Sequence, residues 1–98
     1  MLRVCRFKPE KQDHVPAVVH IDGTGRLQTV TSNANGNFYR LIKRFHDKTG
    51  VPIILNTSFN VAGYPIVETP ADAIVCLCST ELDCCIFEDQ IVFKHTDW

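Results

Sequence analysis

The sequence predicts an α/β (α+β) fold: a mixed, twisted sheet carrying two helices. Three observations lead there. β-rich runs stand at residues 2–7, 15–21, 26–30 and 51–55, one amphipathic helical pattern runs from Phe38 to Lys48, and a second helix start at Thr69-Pro70-Ala71-Asp72 is followed by two more strand-like runs. Strand-like and helical segments interleaved in this way belong to layered α/β architectures. Ninety-eight residues are expected to form a single domain spanning 1–98. A chain of this size buries only about 60–65% of its unfolded surface.

Each element has a local reason. Residues 2–7 alternate in part, and residues 9–14 make a charged connection. The run VPAVVHI (15–21) is β-rich, Asp22-Gly23-Thr24-Gly25 is a turn signal, and residues 26–30 read as the next strand. A hairpin-like unit over 15–30 is the expectation. After an Asn/Ser/Gly-rich stretch at 31–37, Phe38, Leu41, Ile42 and Phe45 recur at i, i+3, i+4 and i+7, giving one apolar stripe. Lys48 suits the negative end of that helix, and Gly50 suits its stop.

The run VPIIL (51–55) reads as a strand buried on both faces, beginning at or after Pro52. Residues 66–67 are a candidate brief strand. Thr69 supplies a hydroxyl N-cap, Pro70 the first helical position and Asp72 the acid at the third. Residues 73–78 are apolar nearly all round, as in a buried helix. Residues 83–87 and 91–94 read as strands joined by the acidic turn Glu88-Asp89-Gln90.

Composition narrows the functional classes. With 45% apolar and 21% charged residues this is an ordinary soluble chain. No apolar run approaches the roughly 20 residues of a membrane span, and Met1 opens no signal-peptide pattern. A cytoplasmic location without a membrane partner is expected. The net charge of −1 hides an asymmetry: nine Lys or Arg face four acids up to Gly50, and one Lys faces seven acids from Val51 onward. Either the halves attract one another, or the basic half lines an anion site. The densest basic run, 40–48, alternates with apolar helix positions, so no nucleic-acid partner is expected.

Cys5, Cys76, Cys78, Cys84 and Cys85 are odd in number, and their C-x-C and C-C spacings match no zinc site. They read as small buried hydrophobes, and no metal is expected. His14, His46 and His95 lack partner spacing and read as surface residues.

Two segments carry chemistry. N-T-S-F-N (56–60) follows an apolar run, where α/β sheets gather ligands. Asn56, Ser58 and Asn60 offer neutral donors and acceptors for phosphate or amide oxygens, and the same residues cap turns in any loop. H-x-D-G-T-x-R (20–26) combines His20, Asp22, Thr24 and Arg26 around two glycines. Its amides suit an anion nest, and Arg26 a bidentate phosphate contact; a glycine turn with a surface Arg is the other reading.

Taken together, VPAVVHIDGTGRLQTV and NFYRLIKRFHDKTGVPIILNTSFNVAGYPIVETPADA resemble the C-terminal domain of the nodulation-type O-carbamoyltransferases, over about residues 1–89. The resemblance implies a YrdC/Sua5-like fold that binds ATP, with Mg, and carbamoyl phosphate to form carbamoyl-adenylate. It implies that Arg26 contacts phosphate and that Asn56, Ser58 and Asn60 line the nucleotide and carbamoyl phosphate pocket, with His20, Asp22 and Thr24 in the same first motif. It further implies a separate N-terminal domain, holding iron through histidines, that transfers the carbamoyl group to a hydroxyl.

The chain departs from the family pattern at Gly25, usually Ala, at Ala62, commonly near a basic residue, and at Tyr64, usually Glu. Upstream residues of the family domain have no counterpart here. The expectation is therefore a C-terminal portion of an ATP-dependent carbamoyltransferase that works with an upstream domain or a partner chain, including a homodimer through an exposed edge. The alternative is a non-catalytic module that binds a nucleotide or anion, or docks a partner.

Overall fold

The computed structural model describes residues 3–34 and 36–94. The chain divides into two compact units, residues 1–56 and 57–98.

In the first unit, β1 (Arg3–Arg6) pairs antiparallel with β2 (Thr24–Leu27), in the register Arg3↔Leu27 to Arg6↔Thr24. A single helical turn, α1 (Pro9–Gln12), and a 3-10 turn at Pro16–Val18 lie between them. The expected pairing of 15–21 with 26–30 does not form. Pro16 has no N–H to give a ladder, and its fixed φ suits the first position of a helical turn. Val18 and Val19 accordingly donate their N–H groups to the carbonyls of Val15 and Pro16. The partner of β2 is the N-terminal strand.

Helix α2 (Gly36–Thr49) forms where the apolar spacing places it. Its end is well determined. Gly50 adopts φ 77°, and its N–H donates to the His46 carbonyl at 2.7 Å. That is the left-handed cap for which glycine carries no Cβ penalty. Phe38 and Ile42 are half-buried, whereas Leu41 and Phe45 remain 52% and 40% exposed.

Residues 51–55 are not a strand. Among the described residues the segment VPIIL pairs with neither β1–β2 nor β3–β4. Nor is it buried on both faces: Ile53 and Ile54 are half-buried and Leu55 is exposed. Residues 66–67 likewise form no strand, although the Val67 N–H reaches the Phe59 carbonyl at 2.9 Å.

The second unit holds the small core. Helix α3 (Pro70–Ser79) starts with a reciprocal capping box: the Asp72 N–H donates to Thr69 Oγ1 at 3.1 Å, and the Thr69 N–H donates to Asp72 Oδ2 at 3.3 Å. Its buried side chains Ala73 and Leu77 pack with Cys85, flanked by Val67, Phe87 and Val92. The all-round burial expected of this helix is confined to one side, since Val75 is 66% exposed. β3 (Cys84–Phe87) and β4 (Gln90–Phe93) form an antiparallel hairpin, Cys84↔Phe93 to Phe87↔Gln90. The α+β class holds, with its sheet content in two antiparallel pairs. All five cysteines are free thiols, and burial pushes the Cys85 thiol up.

Candidate functional site

The turn before β2 is built from its own side chains. The Gly23 N–H donates to the His20 carbonyl at 2.9 Å, and the His20 N–H donates to the Thr24 carbonyl at 2.7 Å. Gly23 sits at φ 82°, in the left-handed region. The Asp22 carboxylate accepts from the Thr24 N–H at 3.0 Å and the Thr24 hydroxyl at 2.6 Å, an Asx-type turn. Those two bonds, with the nearby charges of Arg6 and His20, hold the Asp22 carboxyl below the usual aspartate value. Arg6 also donates to the Asp22 carbonyl at 2.9 Å. Asp22 and Thr24 are thus occupied in shaping the turn.

That turn delivers β2 to a cavity of about 290 Å³ within the first unit. Phe7, Val18, Phe38, Ile42 and Ile54 contribute to an apolar lining, and His20, Arg26, Gln28 and Asn56 add polar groups. An apolar recess with a few placed polar side chains is the usual make-up of a small-molecule site. The volume lies at the lower edge of the roughly 300–1,000 Å³ typical of drug-sized ligands.

Three of the seven residues singled out in the sequence therefore meet in one cavity: His20, Arg26 and Asn56. Gln28 joins them, bonded to Asn56, whose Nδ2 donates to Gln28 Oε1 at 3.4 Å. A lone Gln carries no motif signal. Its place two residues after Arg26 was the available clue, since strand side chains repeat every second residue.

Ser58 and Asn60 belong to the second unit and are used there. The Ser58 hydroxyl donates to Asn60 Oδ1 at 2.6 Å, and Asn60 Nδ2 donates to the carbonyls of Val61 and Tyr64 at 3.1 and 3.0 Å. Asn60 so staples a turn that the Tyr64 N–H closes onto the Val61 carbonyl, with Gly63 at φ 84°. Ala62 and Tyr64 are exposed on this turn. His14 and His46 are exposed, and His95 lies outside the described residues.

Residues 1–94 match the family model described as carbamoyltransferase C-terminus. The chain belongs to that family. It is 42% identical over 99 residues to nodulation protein NolNO of Sinorhizobium fredii, covering 97% of this chain and 15% of that protein. Nodulation protein NolO of Bradyrhizobium diazoefficiens is 38% identical, with 97% and 18% covered. An uncharacterized protein of Methanocaldococcus jannaschii is 45% identical over 87 residues, with 89% and 14% covered. The chain thus spans less than a fifth of the length of these relatives. No helix among the described residues is long and apolar enough to cross a membrane.

Proposed function

We propose that this carbamoyltransferase C-terminal chain contributes one wall of a pocket that binds ATP and carbamoyl phosphate for formation of carbamoyl-adenylate. The observation that carries this reading is the convergence of Arg26, His20 and Asn56 on the apolar recess of the first unit. A guanidinium suits a phosphate, and a carboxamide suits an uncharged acyl group, without burying a second charge. Forming the adenylate requires water to cleave carbamoyl phosphate to carbamate and phosphate. A carbamate oxygen then attacks the α-phosphorus of ATP, the α–β phosphoanhydride bond breaks, and pyrophosphate leaves. Such a step depends more on alignment and on neutralising phosphate charge than on an acid–base pair. Mg carried in with ATP supplies further neutralisation.

Among the described residues no group of three His, Cys, Asp or Glu is placed to hold a metal, and none is assigned that role. The iron-bearing transfer domain and the rest of the adenylation pocket belong to the longer enzyme or to a partner chain, in the cytoplasm.

The second reading is a small anion-binding module without catalysis. Mixing the chain with ATP, Mg and carbamoyl phosphate and assaying pyrophosphate separates the two. Release by the chain alone establishes complete adenylation machinery. Saturable carbamoyl phosphate binding without release by the chain alone fits either reading, and release restored by adding the upstream part of a relative decides for a contributing wall. Absence of both binding and release rejects the assignment.

A further inference from the structure

The β3–β4 hairpin is apolar on both faces. Directly opposed residues share a face, so the register puts Cys85, Val92 and Phe87 on one side and Cys84, Phe93, Ile86 and Ile91 on the other. The first side packs with Ala73 and Leu77 of α3. The second is open: Ile86, Ile91 and Phe93 are 63%, 56% and 68% exposed, and Cys84 is half-buried. An antiparallel sheet with one covered face ordinarily turns polar side chains to water on the other. Four adjacent apolar positions there have the character of a face that a further layer covers.

Charge decides between the layers that could cover it. Exposed Glu81 and Asp83 lead into β3, and exposed Glu88 and Asp89 stand at the turn, so the face has acids at both ends. Lys94 follows β4, but its amine is given to the Thr80 carbonyl. The second unit as a whole carries one Lys against seven acids. Two such faces packed on each other would bring like charges together at the rim, which costs affinity. A cationic apolar strip avoids that cost, and α2 carries one. Leu41, Arg44, Phe45 and Lys48 stand at i, i+3, i+4 and i+7, on one side of the helix, and all four are exposed. The first unit carries nine Lys or Arg against four acids.

We infer that a second copy of this chain lays its α2 strip on the outer hairpin face, reciprocally, in a two-fold dimer. Ile86, Ile91 and Phe93 offer roughly 350 Å², under half of the ~800 Å² that each partner of a standard interface gives. Reciprocity adds the α2 strip to each copy's share, which brings it to roughly 600–700 Å², the low end for a specific interface. A weak dimer with a micromolar dissociation constant is therefore expected.

Sedimentation of the 98-residue chain from low micromolar to near-millimolar concentration should show a monomer–dimer equilibrium. Ile86→Thr with Ile91→Thr, and separately Arg44→Glu with Lys48→Glu, should each weaken it by about tenfold or more. Added NaCl should weaken it as well, because opposite charges meet; two acidic hairpin faces would associate more tightly as salt screens them. In a mixture of isotope-labelled and unlabelled chains, filtered NOEs are expected between the Ile86 and Ile91 methyls of one copy and the Phe45 ring of the other. Circular dichroism checks the fold of each variant, and the salt and NOE results decide if one has unfolded. A chain that stays monomeric overturns the inference. So do a dimer strengthened by salt, a dimer that either folded variant leaves intact, and NOEs joining the two hairpins instead of hairpin and α2.

Discussion

The Asp22 carboxylate accepts two hydrogen bonds from one residue, the N–H and the hydroxyl of Thr24, at 3.0 and 2.6 Å. Both bonds favour the ionised carboxylate, so the Asp22 carboxyl is held below its usual 3.8, helped by Arg6 and His20. A carboxyl lowered by folding lends stability above the unfolded value and loses it as pH falls through the folded value. Carboxyl-resolved NMR titration is expected to place the Asp22 midpoint below 3.8. Thr24→Val, which removes the hydroxyl bond, moves that midpoint upward. An identical midpoint in the variant would assign the shift to the Thr24 N–H bond, with Arg6 and His20.

Gly25 is required for space. A methyl group there would overlap the Phe7 ring and stand 2.8 Å from the Val18 carbonyl oxygen. An Ala at this position therefore has no room unless Phe7 and the 3-10 turn move. Gly25→Ala is expected to destabilise the chain by about 1–3 kcal/mol, the scale of overpacking. Chemical denaturation measures it, and Gly25→Ala combined with Phe7→Leu should recover part of the loss.

The capping box of α3 gives a second stability prediction. Thr69→Ala removes the acceptor of the Asp72 N–H and is expected to cost about 1 kcal/mol. Denaturant midpoints should fall without a change in slope.

In the β3–β4 turn, Glu88 stands at φ 44°, a region that favours glycine. Glu88→Gly is expected to raise stability by about 0.5–1 kcal/mol, since relief of the Cβ conflict outweighs the added chain entropy. A lower melting temperature in that variant would mean that the Glu88 side chain contributes contacts beyond the turn.

Elements specified by their own residues were legible in the sequence. Thr69, Pro70 and Asp72 announce α3 within four positions, and Phe38, Leu41, Ile42 and Phe45 announce α2 within eight. Residues 15–21 and 51–55 misled because β-propensity reports a side chain suited to a pleated surface, not the presence of a partner strand. Pro16 redirected the first into a 3-10 turn, and the second pairs with no strand among the described residues. Partner choice is a long-range property, as the pairing of β2 with β1 across the whole intervening segment shows.

The candidate site divides in the same way. The turn around Asp22 and Thr24 follows from glycine and Asx chemistry, both local. The meeting of Arg26 with Asn56 spans thirty positions and rested on family resemblance. Asn60, equally well placed by motif, is satisfied by the carbonyls of Val61 and Tyr64, as the capped-turn reading anticipated.

A backbone-amide NMR titration of the chain and of Arg26→Ala with carbamoyl phosphate tests whether the Arg26 recess binds its phosphate. Saturable shifts are expected at residues 22–26 and at Asn56 in the wild type. Affinity is expected to be weaker by about 1.5–3 kcal/mol in Arg26→Ala, the scale of a charge-assisted hydrogen bond. Equal affinity in the two chains, or shifts confined to residues outside the recess, would contradict it.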